Sequence, residues 1–208
     1  YIYTKLKNII TAYQEVKFQR TEIYVIDDGS EDNTFHEIVR FIVKHGKRLT
    51  HSNIYLNVYR TSHKGPGHAL SLALKRVSEK MNKDNLCKVV IITDADSYFN
   101  AQTLSHTLEE LMSNEIVGAV CTKTVVLGVA VRGLELKLRD LLRLLESKVD
   151  SILYSNALLY VIKIDNNTQR ALNDVIHILE KVVNYDAVIS LFLRKHYRTV
   201  IFDSKVCS

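Results

Sequence analysis

The sequence predicts an α/β protein whose central sheet is mainly parallel and flanked by helices. Short runs rich in β-branched residues alternate with segments of helical periodicity through the first half of the chain. The first three of these runs each end in a segment dense in acidic residues or glycine. Strand and helix in turn imply right-handed crossovers, which cover a parallel sheet on both faces.

Residues 22–26 read as the first strand, and Phe35, Ile38, Val39 and Ile42 recur as one apolar face of the helix after it. A strand at 53–59 precedes a helix carrying Ala69, Leu70, Ala73, Leu74 and Val77. Residues 88–92 are the third strand, with Leu104, Leu108, Leu111 and Met112 on the following helix. Beyond this point the pattern is less regular. A strand at 116–121 leads to a long amphipathic helix with Leu134, Leu138, Leu141, Leu142, Leu145 and Val149. A strand at 157–164, helices near 172–183 and 186–194, and a last strand at 199–202 complete the reading. There is no internal repeat, and one proline with seven glycines leaves no obvious linker. The expectation is therefore one domain over 1–208, a length that buries a core of ordinary size.

A chain 47% hydrophobic and 25% charged reads as soluble and globular, which excludes disordered and fibrous classes. No run approaches the roughly 18 apolar residues of a membrane span, and Tyr1-Ile2-Tyr3-Thr4-Lys5 lacks a signal pattern. A cytoplasmic protein without a transmembrane segment is expected. Cys87, Cys121 and Cys207 lack metal spacing and read as reduced thiols, and Asn166-Asn167-Thr168 reads as an accidental sequon. The formal charge of +5 is spread along the chain without basic blocks, which argues against nucleic acid. A phosphate-bearing ligand or an anionic membrane surface is compatible with it.

Three segments sit just past the carboxyl ends of predicted parallel strands: Asp27-Asp28-Gly29-Ser30, His63-Lys64-Gly65-Pro66-Gly67 and Asp94-Ala95-Asp96. Open α/β sheets bind ligands at that edge. Two carboxylates spaced as Asp94 and Asp96 can reach one hard cation such as Mg²⁺ or Mn²⁺; equally, two acids after a strand can form a turn or cap a helix. In the first segment Gly29 permits a tight turn and Asp32, Asn33 or Thr34 can cap a helix, while the acids at the strand end suit hydrogen bonds from a base or ribose. In the second, Lys64 offers a mobile charge near phosphates, or is a solvated lysine in a Gly/Pro turn; the spacing is not that of a P-loop.

Taken together, residues 25–34, 64–69 and 92–96 resemble the inverting glycosyltransferase family two, with its GT-A fold, over roughly residues 5–115. The resemblance implies a metal-dependent enzyme that moves one hexosyl unit from a nucleoside-diphosphate-sugar to an acceptor hydroxyl. It implies Asp27 and Asp28 at the base and ribose, Asp94 near the ribose or metal, Asp96 as direct ligand of Mn²⁺ or Mg²⁺, and Lys64 near the nucleotide. The donor is expected to be a UDP- or GDP-sugar. Residues 1–115 would form the nucleotide-sugar-binding half and 116–208 the acceptor-binding half. The late acidic motif of the family resembles residues 184–191, making Asp186 the candidate catalytic base, with helix capping as its alternative role.

The chain departs from the family pattern in three ways. The strand and turn with which the family opens are expected ahead of this sequence or are lost. Tyr185 stands where an acid is usual. With no tryptophan, the QxxRW signature of processive synthases is absent, and single transfer is expected. The acceptor, whether glycan, lipid phosphate or protein, is not encoded in a motif. Residues 132–148 hold five basic and three acidic residues around an apolar stripe, which reads as a core-facing helix, with peripheral membrane docking as the alternative. His177 and His196 have no partner spacing. Two rival readings are a haloacid dehalogenase-like phosphatase using Asp94-Ala95-Asp96, and an inactive nucleotide-sugar-binding protein.

Overall fold

Leu6, Ile9, Ile10 and Tyr13 recur at one-turn spacing and build α1 (Ile2–Val16), a helix outside the strand–helix alternation read from residue 22 onward. The computed structural model describes residues 1–84, 87–122, 133–149, 151–152, 159–182, 185–196 and 199–203. The side chains of 83–84, 133–137, 186, 196 and 199–203 lie outside that description, as do Asn184 and Cys207.

After α1 the order is β1 (Thr21–Asp27), α2 (Thr34–His51), β2 (Ile54–Arg60), α3 (Pro66–Asp84), β3 (Val89–Ile92), α4 (Ala101–Ser113) and β4 (Val117–Thr122). Then follow α5 (Gly133–Val149), β5 (Tyr160–Lys163), α6 (Asn166–Leu179), α7 (Tyr185–His196) and β6 (Thr199–Asp203). The α/β class and its alternation agree with the sequence reading. Pairing is parallel between β1 and β2, from Thr21 opposite Ile54 to Asp27 opposite Arg60, and parallel between β4 and β6. β5 lies between β3 and β4 and is antiparallel to both, so the sheet is mixed there. Among the described residues β1–β2 and β3–β5–β4–β6 are separate ladders.

Side chains alternate across the larger ladder, as the period of two requires. Val90, Ala119, Cys121 and Ile162 face a core made with Leu74, Leu172, Val175 and Leu193 of α3, α6 and α7. Val120 and Val161 face the opposite core, with Leu6, Phe41, Leu104 and Leu111 of α1, α2 and α4. Asp165 caps α6 by accepting from the N–H of Asn167 and Thr168, and Thr168 returns its hydroxyl to form a capping box. The expected core-facing stripe of α5 is corrected by the structure: Leu138, Leu141, Leu142, Leu145 and Val149 are exposed, whereas Asp140 and Arg143, 3.8 Å apart, are buried. Periodicity fixes that the stripe exists but not which side meets the protein. Among the described residues no helix is long and apolar enough to cross a membrane, and Cys87 and Cys121 are free thiols.

Candidate functional site

The carboxyl ends of β1 and β3 are where the acidic segments fall. Asp27 ends β1 with its side chain fully buried; Oδ1 accepts from the N–H of Ser30 (3.0 Å). Its Oδ2 lies 3.1 Å from Nε of Arg60, an ion pair at an angle that makes no hydrogen bond. Arg60 also donates to the carbonyl of Ser30 (2.8 Å) and stacks over Phe35. Asp27 is thus held mainly by its own turn.

Asp28 joins the first motif to the second. Its carboxylate accepts from the N–H of Lys64 (3.0 Å) and of Gly65 (2.8 Å), and His63 Nδ1 lies 3.1 Å from its Oδ2. The two turns touch closely because residue 29 is glycine: at φ 74° it takes a left-handed conformation, and a Cβ there would sit 2.7 Å from the backbone nitrogen of His63. Each carboxylate oxygen of Asp28 keeps a second lone pair after these bonds. Lys64 is exposed at the surface of this turn. Behind it Pro66 opens α3, and His68 lies 3.4 Å from Glu180.

Asp94 is half-buried and Asp96 exposed in the turn after β3. Burial raises the pKa of the Asp94 carboxyl, the negative charge of Asp96 raises it further, and Lys5 opposes both. That mutual repulsion is a donor set short of positive charge. Among the described residues no cluster of three or more His, Cys, Asp or Glu side chains could hold a metal. Two carboxylates nevertheless fit a cation such as Mg²⁺, which keeps several waters and takes its other ligands from substrate phosphates.

Lys5 is a site residue that sequence reasoning missed. It lies on the inner face of α1, 1% exposed, and its ammonium donates to Thr93 Oγ1 (2.9 Å), Ser97 Oγ (3.0 Å) and the Ser97 carbonyl. Burial lowers its pKa to about 8, against the upward pull of Asp94 and Asp96. Asn8, one turn on, donates to the carbonyl of Phe99 (2.6 Å) and accepts from its N–H. Together they pin the turn bearing Asp94 and Asp96 to α1. The available signal is a lysine one turn ahead of Ile9 on an otherwise apolar helical face.

Asp27, Asp28, Thr93, Asp94 and Ala95 line one cavity of about 880 Å³, and Tyr185 of α7 lines it too. Lys64 and Asp96 are not among its lining residues. The backbone of Asp186 lies in the first turn of α7, next to Tyr185, and its side chain is outside the described residues.

The fold is similar to that of a solved glycosyltransferase involved in the glycosylation of the major capsid of PBCV-1, at a TM-score of 0.51 and 8% sequence identity. The likeness covers 89% of this chain and 81% of the other, and it bears on the fold alone. No curated protein matches the chain. The sequence model described as Glycosyl transferase family 2 matches residues 2–173. With that match over most of the chain, and with the GT-A type of architecture around the paired acidic turns, the chain belongs to glycosyl transferase family 2 and is a glycosyltransferase.

Proposed function

We propose that this glycosyltransferase moves a single sugar from a nucleoside-diphosphate-sugar, UDP- or GDP-linked, to an acceptor hydroxyl, with inversion and with the help of Mn²⁺ or Mg²⁺. The observation that supports the reading best is the convergence of Asp27, Asp28 and Asp94 on one cavity at the carboxyl end of β1 and β3. Residues 1–115 serve the donor and 116–208 the acceptor in this reading.

Asp28 keeps the turns after β1 and β2 together and offers its remaining lone pairs to the base or ribose. Asp27, engaged with Arg60, orients that turn. Lys64, exposed beside it, supplies positive charge toward the diphosphate. Asp96, with Asp94 beside it, would hold the divalent cation, which when bound neutralises charge on the departing diphosphate. Asp186 takes the acceptor hydroxyl's proton as that oxygen forms its bond to the anomeric carbon. The bond from that carbon to the diphosphate oxygen breaks on the opposite side, so the configuration inverts. The acceptor is a glycan, a lipid phosphate or a protein hydroxyl.

Thermal denaturation of the purified chain with UDP, GDP and their sugars, in Mn²⁺, Mg²⁺ or chelator, tests the reading. A ligand that binds only the folded chain raises its midpoint. The expected result is a metal-dependent rise with one nucleotide family that Asp96→Ala removes. No rise with any nucleotide, or a rise indifferent to Asp96→Ala, overturns the site.

A further inference from the structure

We infer that the solvent face of α2, together with Lys7 of α1, docks the protein on an anionic lipid bilayer. The inference rests on the charge and exposure of that face and is independent of the proposed reaction.

Arg40, Lys44, Lys47 and Arg48 are interspersed with other residues in the sequence, yet the helical period brings them onto one side of α2. All four are exposed, whereas Ile38, Phe41 and Leu49 on the other side are buried. α1 adds a fifth cation. Lys7 Nζ lies 5.2 Å from the centre of the Tyr3 ring and the Arg40 guanidinium 5.6 Å from it, so one ring ties together charges from two helices. Tyr3 Oη and His45 Nε2 are 2.9 Å apart. Desolvation lowers the pKa of His45, and Lys44, Lys7 and Arg48 lower it further, so three of these cations bear on one imidazole.

Like charges one turn apart on a helix repel. Arg40 and Lys44 stand in that relation, as do Lys44 and Arg48, and Glu37 is the one acid on α2. Among the described residues it is also the one acid in an ion pair with any of these cations, 3.1 Å from Arg40. The helix dipole favours Arg48 in the last turn but leaves Arg40 and Lys44 without a structural reason. A surface of opposite charge converts the repulsion into binding.

Apolar residues on the same face choose between polyanions. Val43 is 83% exposed and Val39 43%, and Val43 is one turn from both Val39 and Lys47. Single-stranded nucleic acid is held by cations with aromatic rings against its bases, so exposed valines contribute nothing there. A bilayer takes the cations at its headgroups and the valines at the acyl boundary. α2 has 18 residues, about 27 Å at the helical rise, so its charges reach several headgroups at once.

The test is cosedimentation of the whole chain with vesicles of phosphatidylcholine, with and without phosphatidylserine. Binding is expected to the anionic vesicles alone. It should fall as salt rises from about 0.1 M to about 1 M, which shortens the screening length from ~10 Å to ~3 Å. Each cation near such a surface is worth about fivefold in partition, so the triple variant Lys44→Gln, Lys47→Gln, Arg48→Gln should bind roughly a hundredfold more weakly. The charge-conserving variant Lys44→Arg, Lys47→Arg, Arg48→Lys should bind like the parent, and Val39→Ser with Val43→Ser should bind more weakly with every charge in place. The two lipid mixtures and the salt series use the unaltered chain, so they decide even where a variant misfolds. Absent or equal binding to the two vesicle types, indifference to salt, or undiminished binding of the glutamine or serine variants overturns the inference. Tighter binding to a single-stranded RNA than to the anionic vesicles also overturns it, and would make the face a nucleic-acid site.

Discussion

Asp94 carries the electrostatic strain of the site. Burial raises its pKa above the ordinary 3.8, and the charge of Asp96 adds to the shift. A carboxyl whose folded pKa lies above its unfolded one binds its proton more tightly in the folded chain. Its contribution to stability is therefore lost as pH rises from the unfolded value through the folded one. At neutral pH the ionised side chain is a liability that a cation would relieve. Asp94→Asn is accordingly expected to melt above the parent at pH 7 without added metal, and the advantage should vanish at about pH 3, where the parent's carboxyl is protonated in both states. The same variant should lose transferase activity, the usual exchange of stability for function. Melting curves across pH settle it: a lower midpoint for Asp94→Asn at neutral pH would mean that the carboxylate is paired, not strained. Lys5 shows why such a site is only half legible. Asp94-Ala95-Asp96 is readable because it is contiguous, whereas the lysine that holds its turn is 92 residues from Ser97.

The first turn of α3 passes so close to the carboxyl end of α6 that a Cβ on Gly67 would sit 2.3 Å from the carbonyl oxygen of Leu179. Backbone cannot yield as a flexible side chain can. Gly67→Ala is expected to destabilise by about 1–3 kcal/mol, the range of overpacking, and to displace the turn that Asp28 binds. Gly46 is the control: it lies within α2, where a Cβ would meet only Cγ2 of Ile42 at 3.5 Å. Gly46→Ala should stabilise by up to about 1 kcal/mol through helix propensity. Urea midpoints of opposite sign support this packing; a neutral Gly67→Ala would contradict it. The alternation from β1 to α4 is legible because each element is set by its own periodicity, and the observed bounds fall close to the expected ones. Three features are not local. The antiparallel course of β5 depends on which strands flank it. The buried side of α5 depends on its neighbours. α1 has a clear apolar face, but the elements it packs against, α2 and α4, follow it at a distance in the sequence.

Across the whole molecule, the β3–β5–β4–β6 ladder separates two cores and joins them. Val161 and Ile162 are adjacent in β5, and each packs into a different core. The core on the α3 side combines Leu74 and Val90 from the first half of the chain with Leu172 and Leu193 from the second, so neither half owns it. A fold built this way should unfold as one unit. Leu6→Ala and Leu172→Ala, one in each core, are each expected to lower stability by about 2–5 kcal/mol. Tyr13 lies in one core and Tyr160 in the other, and with no tryptophan the emission is the sum over eleven tyrosines, both cores included. Urea titrations followed by tyrosine emission and by far-ultraviolet dichroism should superimpose for the parent and for both variants. Two separated transitions, each moved by only one substitution, would instead make the halves independent folding units. Coincident curves would mean that the two cores open together, so that the strand ends carrying Asp27 and Asp94 come apart only in global unfolding.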